Sequence, residues 1–198
     1  MERWDKLNFA FEYLLQFISL KPAEERYQIN SVELALVSNF KGGNNSVVEP
    51  LHSLGDKLLR YSCQLSRLAK LIAGRDLRQI QAIDSLGAEA GEFLALSARA
   101  NSKIAGFGPS YASALLAAYF PQTLPIVDRQ VLRGADIGHD VDESGQVVSI
   151  ANYYPMLLRR FRDELEVRPR VSVRELDREW FIRGSKINRA RRAENRSQ

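Results

Sequence analysis

One cysteine, Cys63, stands in 198 residues. That excludes an internal disulfide and any four-cysteine zinc or iron–sulfur centre. The two histidines, His52 and His139, have no partners at metal-ligand spacing, so no metal site is expected. Long apolar runs are missing too: none reaches the ~18 residues of a membrane-spanning helix. The N-terminus carries Glu2 and Asp5 where a cleavable signal would need bases and an apolar stretch. A cytoplasmic location with no membrane partner is the expectation. Seven prolines and twelve glycines are too few for a low-complexity or disordered chain.

What is present is a core and an uneven charge. Apolar residues make up 45% of the chain, enough to build one domain spanning residues 1–198. The net charge is +4, but its distribution matters more. Residues 1–155 hold 15 Lys/Arg and 17 Asp/Glu, whereas residues 156–198 hold 13 and 7. A basic C-terminal segment suits a polyanion, because each neutralised phosphate releases counterions. It is equally what a solvated, frayed terminus looks like.

Periodicity makes the chain all-α. Leu7, Phe11, Leu14, Leu15 and Ile18 recur at helical spacing before Pro22. Val32 to Phe40 gives a second helix, ending at the glycine–asparagine loop Lys41-Gly42-Gly43-Asn44-Asn45. Ser46 is a candidate cap for a third helix running to about Ala73. Helical patterns continue over 76–83 and 87–103, from Pro109 through Tyr119, over 129–135, and at about 150–166 and 173–184. Residues 136–149 are the longest polar loop.

Two motifs carry chemistry. In Gly106-Phe107-Gly108-Pro109-Ser110-Tyr111, two glycines around one apolar residue permit a hairpin between helices. Pro109 suits the first turn of the second helix, whose leading amides can hold a phosphate oxygen, directly or through a monovalent cation. The plain alternative is an ordinary helix–turn–helix corner. Twenty residues after Gly108, Leu124-Pro125-Ile126-Val127 ends on Asp128. A carboxylate closing an apolar run is capped, paired or functional. Asp before a helix is a favoured N-cap, and a cap would also hold a catalytic carboxylate rigidly.

The stretch Ile104 to Ala135, IAGFGPSYASALLAAYFPQTLPIVDRQVLRGA, resembles the helix-hairpin-helix, Gly/Pro…Asp (HhH-GPD) superfamily of base-excision DNA glycosylases. The match lies in the apolar-Gly-apolar-Gly hairpin, the small-residue helix and the Pro-apolar-apolar-Asp run at the family's spacing. The segment Tyr154 to Gly184 resembles the C-terminal helices of small bacterial members, while the first hundred residues match in helical character and length.

The resemblance implies a helical fold with a cleft between two halves and double-stranded DNA as partner. It implies base flipping, with Asp128 as the catalytic carboxylate. Gly106, Phe107, Gly108 and Ser110 would form the hairpin that holds the DNA backbone. Bifunctional members carry a lysine at the position of Ser110, so strand-cleaving Schiff-base chemistry from that position is not available here. The implied activity is hydrolytic release of a damaged or modified base, without an iron–sulfur cluster or other cofactor. The alternative is a non-catalytic DNA-binding module or a subunit of a larger assembly. Tyr111, Lys41 and Asn45 are candidate pocket residues, and Lys41 and Lys103 are conceivable substitutes for the absent amine.

Other features read as structural. Asp140, Asp142 and Ser144-Gly145 begin like a calcium loop, but Ala151 stands where a bidentate Glu is needed. A polar turn is expected there. Cys63 is expected in the core or half-buried, and Trp180, Leu176 and Phe181 as core packing.

Overall fold

The computed structural model describes residues 3–42, 47–143 and 145–194. Among these, eight α-helices alternate with short 3-10 turns and loops, and the extended chain pairs only at two isolated bridges. The helices are α1 (Arg3–Ser19), α2 (Ser31–Phe40), α3 (Leu51–Ile72), α4 (Ile83–Ala95), α5 (Pro109–Tyr119), α6 (Arg129–Gly134), α7 (Tyr154–Val167) and α8 (Val173–Glu194). The chain is therefore all-α. None of the described helices is long and apolar enough to cross a membrane.

Local chemistry accounts for several of the helix ends. Asn30 caps α2 through the amides of Val32 and Glu33, and Glu33 answers with a bond to the Asn30 N–H, a reciprocal capping box. Pro109 opens α5 at its first turn, where its missing N–H costs nothing. Ala73 ends α3 in the left-handed region.

Some boundaries differ from the sequence pattern. α3 begins at Leu51 behind Pro50; Ser46, the expected cap, lies outside the described residues, as does Asn45. The pattern over 76–83 becomes a 3-10 turn at Leu77–Gln79, and α4 covers Ile83–Ala95 rather than 87–103. The sequence over 150–153 forms a 3-10 turn before α7. α8 runs ten residues past the expected end, because its charged C-terminal stretch has good helix formers and no breaker.

The buried apolar side chains form one connected cluster, from Phe11 and Leu14 on α1 to Leu176 and Trp180 on α8. Phe107 is 2% exposed and plugs the hairpin into this core, edge-on to Tyr61 and Tyr111. Leu176 and Trp180 are core, with Trp180 edge-on to Phe161 at 4.4 Å. Phe181 is half-buried, packs against this core and also lines a cleft. Cys63 is exposed: it falls on the outer face of α3, between the buried pairs Tyr61, Ser62 and Gln64, Leu65.

Two contacts between backbones lock α6 against α8. A Cβ at Gly134 would stand 1.9 Å from the Trp180 carbonyl oxygen, and one at Gly184 would stand 1.9 Å from that of Gln130. Only glycine permits such an approach. The pair sets α8 directly beside the helix that Asp128 begins.

Candidate functional site

Asp128 is the N-cap of α6. Its Oδ1 accepts the N–H groups of Gln130 and Val131, both at 2.9 Å. Those bonds leave Oδ2 clear of the backbone, and Lys41 Nζ lies 3.4 Å from it. The two side chains are 18% and 15% exposed, so the pair is neither in bulk water nor sealed off. Lys41 is the C-cap of α2, and its own N–H donates to the Val37 carbonyl at 2.9 Å.

The approach to Asp128 is braced from two sides. Leu124, Ile126 and Val127 are buried and lie outside any helix or strand, so their backbone groups need partners from elsewhere. The Ser113 hydroxyl accepts the Val127 N–H at 3.0 Å. It donates to the Ser110 carbonyl at 2.9 Å, with the Val127 carbonyl an alternative acceptor at 3.3 Å. The Tyr154 hydroxyl donates to the Pro125 carbonyl at 2.9 Å. Ser113 therefore ties the hairpin helix directly to the residue before Asp128.

The hairpin itself turns at Gly106, whose φ is +81°, a region that glycine enters without strain. The Phe107 N–H donates to the Ile104 carbonyl at 3.0 Å. Glu49 anchors the turn from α3's leading segment, accepting the Ala105 N–H at 2.9 Å. Bonds from Lys57, then Ser53 and Ala105, pull the Glu49 carboxyl down to about 2. The Ile104 and Ala105 carbonyls each accept one protein N–H, which leaves each a lone pair of the kind a monovalent cation takes.

These elements meet at a cleft of about 830 Å³, within the range of small-molecule sites. Lys41, Gly108, Ser110, Tyr111 and Asp128 all line it. Five residues singled out in the sequence thus share one cavity. Gly106 and Phe107 serve from behind, as turn and plug. Lys103 is exposed and is not among the lining residues.

Sequence reasoning missed the opposite wall. It comprises Gln146, Val147 and Ser149 from the polar loop, Ile150 to Asn152 from the 3-10 turn that follows it, and Phe181 and Ser185 from α8. The loop is a tight turn: the Asp142 carboxylate accepts the Gln146 N–H at 2.8 Å, and Val141 bridges Val147. Arg129 reaches across to donate to the Gly145 carbonyl. Within the calcium-like run, then, Asp142 closes the turn; Ser144 is outside the described residues. His139 stacks edge-on to Tyr153, and its Nδ1 meets the Ile137 carbonyl at 2.8 Å, while His52 is exposed.

Behind the Lys41–Asp128 pair lies Asp177 on α8, 3% exposed. Its Oδ2 accepts from Arg174 at 2.7 Å, and Oδ1 has no hydrogen-bond partner among the described residues. Burial pushes its carboxyl up to about 7; the Asp128 charge adds to this, and Arg174 and Lys41 oppose it. Nothing in the sequence marked Asp177, since one acid among several in a charged helix reads as a solvent-facing residue.

No family model, curated protein or solved structure matches the chain.

Proposed function

We propose that this chain is a DNA N-glycosylase of the HhH-GPD type, which flips a damaged or modified base out of duplex DNA and hydrolyses its glycosidic bond. The observation that carries this reading is Asp128: a carboxylate fixed by two amides, with its second oxygen at a cleft that also receives the N-terminal turn of the hairpin helix. As the bond to the base breaks, positive charge grows on the sugar. A preoriented carboxylate beside C1′ stabilises that charge without reorganising, and does so best where water is excluded.

The hairpin's part is to hold a backbone phosphate near the start of α5. A monovalent cation on the Ile104 and Ala105 carbonyls would supply further charge for that phosphate. Ser110 in place of a lysine supports water as the attacking group in base release. The basic residues of α8 add sequence-independent attraction to the duplex.

The deciding experiment incubates the protein with duplexes carrying oxidised, deaminated, alkylated and hypermodified bases, beside Asp128→Asn. Free base and alkali-labile abasic sites are measured. Release by the parent and none by the variant, with duplex binding equal in both, is the expected result. Salt-dependent duplex binding without release from any substrate favours the second reading, a non-catalytic DNA-binding module. That reading draws on the same cap geometry, since Asp128 already has a structural role at α6.

A further inference from the structure

We propose a second binding site, separate from the cleft at Asp128, that takes a small organic cation: an ammonium group carried on an apolar body. It lies between α1, the residues that follow α5 and the first turns of α8. The proposal does not depend on the glycosylase reading.

The site is a pocket of about 280 Å³ that shares no lining residue with the main cleft. That volume is at the small end of ligand sites, so it suits a compact molecule rather than a nucleotide. Phe11 and Leu15 wall it from α1, and Leu124 and Ile126 wall it from the run that ends at Asp128. Such surfaces favour a hydrocarbon chain or a ring, which loses water contact on entering.

The polar end is Asp177, which lines the same pocket with its side chain 4% exposed. Arg174 donates to Oδ2 at 2.7 Å, and Oδ1 has no hydrogen-bond partner among the described residues. A buried carboxylate oxygen in that state is costly, and a positively charged donor offsets the cost best. The balance of charge selects the same sign. The lining holds two acids, Glu12 and Asp177, against one base, Arg174. Arg174 is engaged with Oδ2 and with the face of Phe11, 4.4 Å from the ring centre. A cation meets an open carboxylate oxygen here, whereas an anion meets two like charges.

Binding is linked to a proton. Burial pushes the Asp177 carboxyl up to about 7, with the Asp128 charge adding and Arg174 and Lys41 opposing. Tyr154 on α7 is the further titratable group that feels Asp177, and Glu12 faces the pocket from α1. An ammonium at Oδ1 favours the ionised acid, so the Asp177 O–H gives its proton to solvent as the cation enters. Affinity for a permanently charged ligand therefore rises with pH up to about 7 and levels off above it.

The test titrates the full chain with benzylammonium, and with benzoate and benzyl alcohol as the anionic and neutral counterparts of that shape. Calorimetry from about pH 5 to about pH 8 gives the affinities, and nuclear Overhauser contacts locate the ring. Benzylammonium should bind at least about tenfold tighter than benzyl alcohol, and benzoate should not bind. Its affinity should rise at least about tenfold across the pH range. Its ring protons should contact the methyls of Leu15, Leu124 and Ile126. Asp177→Asn should lose the pH dependence and most of the affinity, and Glu12→Gln, at the exposed rim, should lose about threefold or less.

The methyl contacts and the pH profile of the unsubstituted protein support the site even if Asp177→Asn folds poorly. No binding at millimolar benzylammonium overturns the proposal, as do equal affinities for the three probes, a flat pH profile, or full binding by a folded Asp177→Asn. Contacts to Val147 and Ile150 instead would put the cation in the main cleft and overturn it too.

Discussion

Ser113 Oγ and the backbone nitrogen of Val127 lie 3.0 Å apart, both fully buried. Fourteen residues separate them in sequence, and this bond joins the helix that begins at the hairpin to the residue that precedes Asp128. The spacing between the two motifs is thus a physical constraint: α5 must be long enough to bring the chain back for Val127 to reach Ser113. Ser113→Ala strands a buried N–H. The expected cost is about 2 kcal/mol, read as a fall in Tm of roughly 4–8 °C, with base release falling more steeply than duplex binding because Asp128 loses its register. An unchanged Tm would show that Val127 finds another partner.

Asp128→Asn separates capping from charge. Asn caps helices about as well as Asp, so thermal stability should stay within about 1 kcal/mol of the parent. Base release should fall by at least about 100-fold. A melting curve and a release assay on one preparation check both halves. Equal loss of stability and activity would mean that Asp128 matters as a cap alone.

Gly184→Ala pushes a methyl into the Gln130 carbonyl and must part α8 from α6. Overpacking of this sort costs about 1–3 kcal/mol or more, and here the obstacle is backbone, which no rotamer change relieves. Denaturant melts should show the loss. Gly55→Ala, where nothing stands within 4 Å, is the matched control and should be neutral or slightly stabilising.

Asp177 makes stability depend on pH. Its carboxyl is raised from an ordinary 3.8 to about 7, so between these values the folded chain holds a proton that the unfolded chain has released. Stability from this group is present below about pH 4, declines as pH rises towards 7, and is flat above. Asp177→Asn removes the titration. The stability of the parent minus that of the variant should fall by an amount on the order of a few kcal/mol across that window, measured by urea melts at intervals of pH. A difference independent of pH would show that Arg174 keeps Asp177 ionised throughout.

The parts of this molecule that sequence made legible are those set by local chemistry. Pro109 opened α5 where expected, the periodicity of Val32 to Phe40 gave α2, and Asp128 capped the short helix after it. The cleft wall was legible on one side, because the hairpin and the aspartate come with their own turn and cap rules. The far wall was not. Phe181 and Ser185 face the cleft only because Gly134 and Gly184 let two backbones touch, and no periodicity encodes a contact between residues 130 and 184. Cys63 misled for a related reason: buried residues on both sides of it left a single outward position on α3. Asp177 was hidden because burial of an acid is decided by packing and leaves no local pattern.

Helix α2 is fastened at both ends to the α5–Asp128 unit. At its start, Glu33 is wholly buried and takes bonds from Lys21 and from the Tyr119 hydroxyl at the end of α5; just past its end, Lys41 meets Asp128. A ten-residue helix on its own is marginal in water, so α2 owes its order to these clasps and to the packing between them. The consequence is kinetic as well as structural. The slow-exchanging amides of α2 and α5 should open to solvent deuterium as one unit, with a common free energy. Weakening the buried clasp with Glu33→Gln should then speed exchange at the Lys41 end of α2, so that the site's rigidity is governed from the opposite end of that helix.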